Sequence, residues 1–149
     1  DIRAYILDLR PRQLQNETLI LGIRRLMKEF HANTLVNAEL QATEEETAGI
    51  SSPQAVALFH ICQEALANIG KHARAKNVTI AIWKSAERYL MEISDDGQGF
   101  DMSQTRLSIG HGLTNMQSRA QAVGGDAEIS SEPGQGTTIL VWVPASEEK

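Results

Sequence analysis

Four short stretches hold the residues whose types and spacing suit chemistry. Asp95-Asp96-Gly97-Gln98-Gly99 places two carboxylates among glycines at the end of an alternating apolar run. A carboxylate there can accept a hydrogen bond from an exocyclic amino group such as that of adenine. The glycines allow sharp turns and let a ligand approach the backbone. The same residues also read as an acidic turn; a calcium loop fits less well, because no closing Glu follows Asp95, Asp96 and Asp101. Glu64 and Asn68 stand four apart in a helical pattern and so share a face. An Asn amide oxygen suits a hard cation, and a Glu can orient water or accept a proton. A solvated helix face would show the same spacing. Lys71 and His72 follow one turn on, within reach of phosphate oxygens.

Gly110-His111-Gly112-Leu113 stands just before a periodic apolar run. Glycines at a helix N-terminus leave free N–H groups and the positive end of the helix dipole facing an anion. The stretch is not a P-loop, since no Gly-Lys-Ser/Thr follows, and it lacks the third glycine of a dinucleotide fingerprint. Gly134-Gln135-Gly136-Thr137-Thr138 opens the last strand, where Thr137 offers a hydroxyl to a base or a bridging water. Each of these two stretches also reads alone as an ordinary junction or turn.

The elements that must position these residues are legible from periodicity. Residues 1–9 read as a helix tail with Ile2, Ile6 and Leu9 on one face, redirected at Pro11. Leu19, Ile23, Leu26, Met27 and Phe30 mark a second helix. Residues 34–41 suggest a strand and 43–53 a surface loop. Ser52, with Pro53 behind it, predicts the cap of a long helix reaching about His72. Its apolar stripe is Val56, Phe59, Cys62, Ala65 (or Leu66) and Ile69. Two strands follow, around Val78-Ile80-Ile82 and Met91-Ile93, with a turn at Glu87 and Arg88. A loop over 95–112 leads to a helix from about Leu113 to Val123, which Gly124 and Gly125 end. Strands at 127–130 and 137–143 flank a turn at 133–136. This order predicts an α+β fold: a two-layer α/β sandwich whose mixed, largely antiparallel sheet carries helices on one face.

The chain has 149 residues, the size of one domain with a real core. Only 5% is aromatic, so that core must be aliphatic. A net charge of −5 argues against nucleic acid as a partner. It leaves room for a phosphate held locally by N–H groups and a Lys. Cys62 is alone, so no internal disulfide forms, and it falls in an apolar pattern. Apolar runs are far shorter than the ~20 residues that span a bilayer, so no direct membrane contact is expected. The chain begins at Asp1 without Met or signal peptide and is expected to be a piece of a longer protein.

Read in order, QEALANIGKHA (63–73), DDGQGF (95–100), GHGL (110–113) and GQGTT (134–138) resemble the N box and glycine boxes of the GHKL ATPases. That superfamily includes gyrase, heat-shock chaperones, histidine kinases and mismatch-repair ATPases. The short lid and the N(x)₂KH form resemble the histidine kinases. DIRAYILDLRP (1–11) and GLTNMQSRAQAVGG (112–125) resemble the nitrate-sensor-like subfamily, whose regulators are of the LuxR type. The resemblance implies the Bergerat-type fold and ATP with Mg²⁺ as cofactors. It implies that residues 1–11 end a dimerisation and phosphoacceptor segment and that 12–149 form the ATP-binding catalytic domain. It implies that Asp95 accepts the adenine amino group, that Gly97 and Gly99 shape the pocket, and that Thr137 supports the base. Asn68 would ligate Mg²⁺, Lys71 and His72 would contact phosphates or ribose, and Gly110, His111, Gly112 and Leu113 would close over the phosphates. Glu64 would act as acid/base near the γ-phosphate. Asp96 stands where the family often has Asn, adding negative charge. None of His31, His60, His72 and His111 has the phosphoacceptor's context. The implied partners are the protein's own dimerisation domain and a response-regulator receiver domain, in a cytoplasmic setting. The parent would be a homodimer and this piece a monomer. An ATP hydrolase of the same superfamily, or a non-catalytic nucleotide-binding module, are the alternatives.

Overall fold

The structure is a computed structural model that describes residues 18–72, 74–99 and 107–145. The helix tail and domain boundary expected at residues 1–11 lie outside them. Helix α1 (Leu19–Thr34) is capped by Thr18, whose hydroxyl oxygen accepts the Leu21 N–H at 3.2 Å. Its predicted face, Leu19, Ile23, Leu26, Met27 and Phe30, is buried. Strand β1 (Asn37–Gln41) follows. The expected surface loop then holds a short helix, α2 (Glu44–Thr47), capped by Thr43. Three glutamates in its first turn match the positive end of the helix dipole.

The long helix is α3 (Ser52–His72). Its cap is one residue earlier than the sequence suggests. The Gln54 N–H donates to Ser51 Oγ at 3.3 Å while the Ser51 N–H donates to Gln54 Oε1 at 3.2 Å. That reciprocal pair is a capping box with Ser51, not Ser52, as the cap. Val56 departs from the expected stripe and is 41% exposed. The buried arc is instead wide, taking in Leu58, Phe59, Ile61, Cys62, Ala65, Leu66 and Ile69. A helix covered by the sheet and by helices on both flanks buries more than one stripe.

Strands β2 (Asn77–Ser85), β3 (Arg88–Asp95), β4 (Asp126–Ser131) and β5 (Thr137–Pro144) complete one sheet in the order β1-β2-β3-β5-β4. Only β1 with β2 is parallel; the other pairs are antiparallel. Alternation buries Val78, Ile80 and Ile82 of β2, Tyr89, Met91 and Ile93 of β3, and Ile139, Val141 and Val143 of β5. They join the core residues of α1 and α3, which makes the predicted two-layer sandwich.

Helix α4 (Leu107–Ala122) starts six residues before the expected Leu113. Gly124, at φ +90, and Gly125 end it as expected, their N–H groups reaching the Gln121 and Ala120 carbonyls.

The link from α3 to β2 is fastened by Asp96. Its Oδ1 accepts the N–H groups of Lys76 at 2.8 Å and Asn77 at 2.9 Å, and its Oδ2 accepts the Asn77 side-chain N–H at 2.8 Å. These bonds hold the Asp96 carboxyl below the usual carboxylate range, the Asn77 side chain contributing most. An Asn here would turn one acceptor oxygen into a donor facing the Asn77 amide. Asp96→Ala is expected to lower Tm by about 3–6 °C at pH 7, the loss of one to two net hydrogen bonds. Because the folded pKa is depressed, the stabilisation is full above the unfolded pKa near ~4 and disappears as pH falls through the folded value. Melts at pH 7 and pH 3 should therefore show the gap between variant and parent closing in acid; a constant gap would refute the charge-assisted clamp.

Candidate functional site

Asp95 ends β3 on the face that the helices cover, continuing the series Tyr89, Met91 and Ile93. Val78 of β2 and Thr137 of β5 are its register partners, and it is only 8% exposed. Burial raises its pKa above the usual value. The Gly97 N–H, bonded to Oδ1 at 2.8 Å, pulls the other way. The Asp96 charge adds to the rise, and the Thr137 N–H opposes it. Oδ1 is thus turned toward its own loop.

Beside it, Ser131 donates its hydroxyl to the Gly136 carbonyl at 3.0 Å and lies 2.9 Å from Thr137 Oγ1. With the Ser131 proton committed, the Thr137 hydroxyl is the donor of that pair, and its lone pairs remain as acceptors. Asp95 and Thr137 therefore present acceptors at the sheet's end. Ser131 was missed in the sequence, where it looks like any strand serine. Two glycines set the wall of this half. A Cβ on Gly99 (φ +64) would run into the Glu132 carbonyl, and one on Gly136 (φ +78) into the Asp95 carbonyl. The Gly134 N–H donates to the Gln98 carbonyl at 2.6 Å. The acidic loop and the β4–β5 turn thus stack backbone on backbone, an approach that only glycine permits.

The other half lies on α3. Glu64 and Asn68 share the face turned to α4, and the contact point is Gly112. A Cβ on Gly112 would stand 2.7 Å from Asn68 Nδ2 and 3.4 Å from Glu64 Oε2. The second and third predicted motifs are therefore brought together. One expectation needs correcting. Because α4 starts at Leu107, His111, Gly112 and Leu113 lie in its second turn. Their N–H groups are committed within the helix and are not free at its N-terminus. The close packing of Gly112 on α3 offsets the low helix propensity of glycine. Lys71 is exposed near the end of α3. The side chains of His72 and His111 lie outside the described residues. Cys62 is fully buried, its thiol pushed up to about 12 by burial, so it is a core residue as expected.

Residues 54–147 match the family described as histidine kinase-, DNA gyrase B- and HSP90-like ATPases. The chain belongs to this ATPase family. Membership implies an ATP-binding site, and the matched span contains the four motifs at 63–73, 95–100, 110–113 and 134–138. Among curated proteins, the chain is 36% identical over 149 residues to the sensor histidine kinase LiaS of Bacillus subtilis, covering all of this chain and 40% of that protein. It is 40% identical over 144 residues to the histidine-protein kinase/phosphatase UhpB of Salmonella typhimurium, covering 96% of this chain and 28% of that one. The chain thus spans well under half the length of these relatives. Among solved structures, the histidine kinase domain of a blue-light activated histidine kinase from Erythrobacter litoralis superposes with a TM-score of 0.69 at 18% identity, covering 86% of this chain and 65% of that chain. It shares the ATPase fold described here.

In this family member, the buried carboxylate that offers an acceptor also weakens the fold. Its folded pKa is raised, so Asp95 costs nothing below the unfolded pKa near ~4 and destabilises increasingly as pH rises through the folded value. Asp95→Asn is expected to raise Tm at pH 7, with the gain vanishing toward pH 3. A variant less stable than the parent at neutral pH would contradict this.

Proposed function

We propose that this ATPase-family chain is the catalytic domain of a two-component sensor histidine kinase. It would bind Mg·ATP and present the γ-phosphate to a histidine on a dimerisation domain. The phosphoryl group would then pass to a receiver-domain aspartate of a response regulator. The observation that carries the reading is the packing of Gly112 on Glu64 and Asn68 beside a sheet that ends in the buried Asp95. Residues 1–11 would end the dimerisation segment and 12–149 would form this domain, in a cytoplasmic setting. None of the described helices is long and apolar enough to cross a membrane.

In this reading the Asp95 oxygen not bonded to Gly97 accepts the adenine amino group, and Thr137 supports the base. Gly97 and Gly99 keep the loop close to it. Asn68 places its amide nitrogen against Gly112, leaving the amide oxygen for Mg²⁺. Among the described residues no group of three His, Cys, Asp or Glu could hold a metal. One Asn amide oxygen would suit a cation that takes most of its oxygens from phosphates and water, as Mg²⁺ does. When bound, Mg²⁺ would offset phosphate charge. Lys71 would add to that, with His72 also on the phosphate side. Glu64 would take the proton of the attacking imidazole. Phosphoryl transfer needs mainly positioning and charge neutralisation, so little else is asked of this domain.

The deciding experiment mixes the chain with γ-labelled ATP, Mg²⁺ and a histidine-bearing dimerisation fragment of the parent protein. The expected product is an acid-labile, alkali-stable label on the fragment; release of inorganic phosphate alone would replace the kinase with a hydrolase. Asp95→Asn should weaken ATP by about ten- to a hundredfold, the cost of one charged hydrogen bond. A second variant isolates the helix contact. Gly112→Ala must push the Asn68 amide aside while favouring the helix by up to ~1 kcal/mol. Calorimetry is expected to show Mg·ATP affinity about tenfold lower with Tm unchanged or raised. Equal affinity would remove Asn68 from the site.

A further inference from the structure

Away from the nucleotide motifs, the β1 edge of the sheet borders a cleft of about 390 Å³ lined by Arg24, Met27, Lys28, His31, Asn37 and Ala38. Three of these six residues are basic and none is acidic, in a chain of net charge −5. Arg24, Lys28 and His31 follow at i, i+4 and i+7 on α1 and so share one face. Arg24 and Lys28 are both exposed. His31 is fixed by its Nδ1–H, which donates to the Val36 carbonyl at 2.9 Å. Met27 and Ala38 give the cleft an apolar floor.

The strand beside the cleft is paired on one side only. β1 meets β2 through Asn37↔Asn77 to Gln41↔Ala81, and no described strand lies on its other edge. It holds no proline and no lysine, the residues that usually protect an edge from pairing. Its exposed side chains, Asn37, Glu39 and Gln41, alternate with Ala38 and Leu40, which pack on the core beneath α1.

We propose that this edge docks an extended acidic segment of a protein partner. The segment adds as a sixth strand beside β1. Its alternate side chains enter the cleft, where carboxylates meet Arg24 and Lys28 and any aliphatic group covers Met27 and Ala38. The intervening side chains face the side of Glu39 and are not acidic. Charge selects this occupant over a second copy of the chain. Two β1 edges paired together would bring two sets of Arg24, Lys28 and His31 against each other. The five-residue strand sets register, and the cations supply selectivity. The proposal does not depend on the nucleotide reading, because none of its residues is in the ATP site.

The test uses the whole 149-residue chain and a fluorescein-labelled, end-blocked peptide, EVEVEVE, followed by anisotropy. Saturable binding is expected at low salt, weakening as salt rises. The double variant Arg24→Glu/Lys28→Glu should lose at least tenfold while keeping the parent's melting curve and ATP affinity. A KVKVKVK peptide should bind that variant better than it binds the parent. N-methylation of the Glu residues or of the Val residues should abolish binding in one set and spare it in the other, since only alternate N–H groups face β1. Four results would overturn the proposal. They are no binding, binding indifferent to the charge reversal, equal effects of the two methylated sets, or concentration-dependent dimerisation of the chain that the reversal abolishes.

Discussion

Three N–H groups converge on the Asp96 carboxylate, and the rest of the site depends on where they come from. Two belong to the backbone at Lys76 and Asn77, which carries the chain from α3 into β2. The carboxylate itself stands one residue beyond β3. A single side chain thus ties the exit of α3 to the end of β3, and with them the Asn68 helix face to the Asp95 strand end. The fastening extends to the sheet's edge, because the Asn37 side chain donates to Asn77 Oδ1 at 3.3 Å and the Asn37 N–H to the Lys76 carbonyl at 2.9 Å. The negative charge at Asp96 is therefore occupied with backbone and does not act as a loose charge beside a ligand.

Its neighbour is used in the opposite way. Asp96 is exposed and saturated with donors, so its ionised form is favoured. Asp95 is buried with fewer donors, so ionisation costs the fold. Adjacent identical residues take opposite pKa shifts because one ends a central strand on the core face and the other lies just beyond it. A carboxylate kept short of donors and screened from water is under-satisfied, and a ligand amino group meets that need more strongly there than at the surface. The glycine stacking of Gly99 and Gly136 holds this arrangement, since any side chain there would part the two loops.

Much of this was legible in the sequence. Alternation and 3.6-residue periodicity located the strands, the α1 core face and most of α3. The spacing of Glu64 and Asn68 gave their shared face. What could not be read were features decided by contacts between distant segments. Val56 fits the helical period yet is exposed, because the arc α3 buries is set by its neighbours and not by the period alone. Ser51 and Ser52 are equally good caps until the Gln54 side chain chooses one. The partners of Asp96 lie about twenty residues back, and Ser131 acquires its role only through the register that places it opposite Thr137. Nor does periodicity say that β1 runs parallel to β2.

The early start of α4 is the departure with the most physical content. Two glycines, at 110 and 112, lower the helical stability of this stretch by about 2 kcal/mol relative to alanine. Local propensity therefore disfavours the helix that is observed. It is compensated by close packing, since without a side chain at 112 the α4 backbone can lie directly on Asn68 and Glu64. The same glycine thus makes the helix intrinsically weak and makes its tertiary contact possible. The stability of this segment rests on its packing, with Gly112 against the long helix and Met116 and Ala120 buried in the core, and not on its own sequence. The Gly112 contact is made by Asn68 and Glu64, the residues a bound phosphate and cation would also engage.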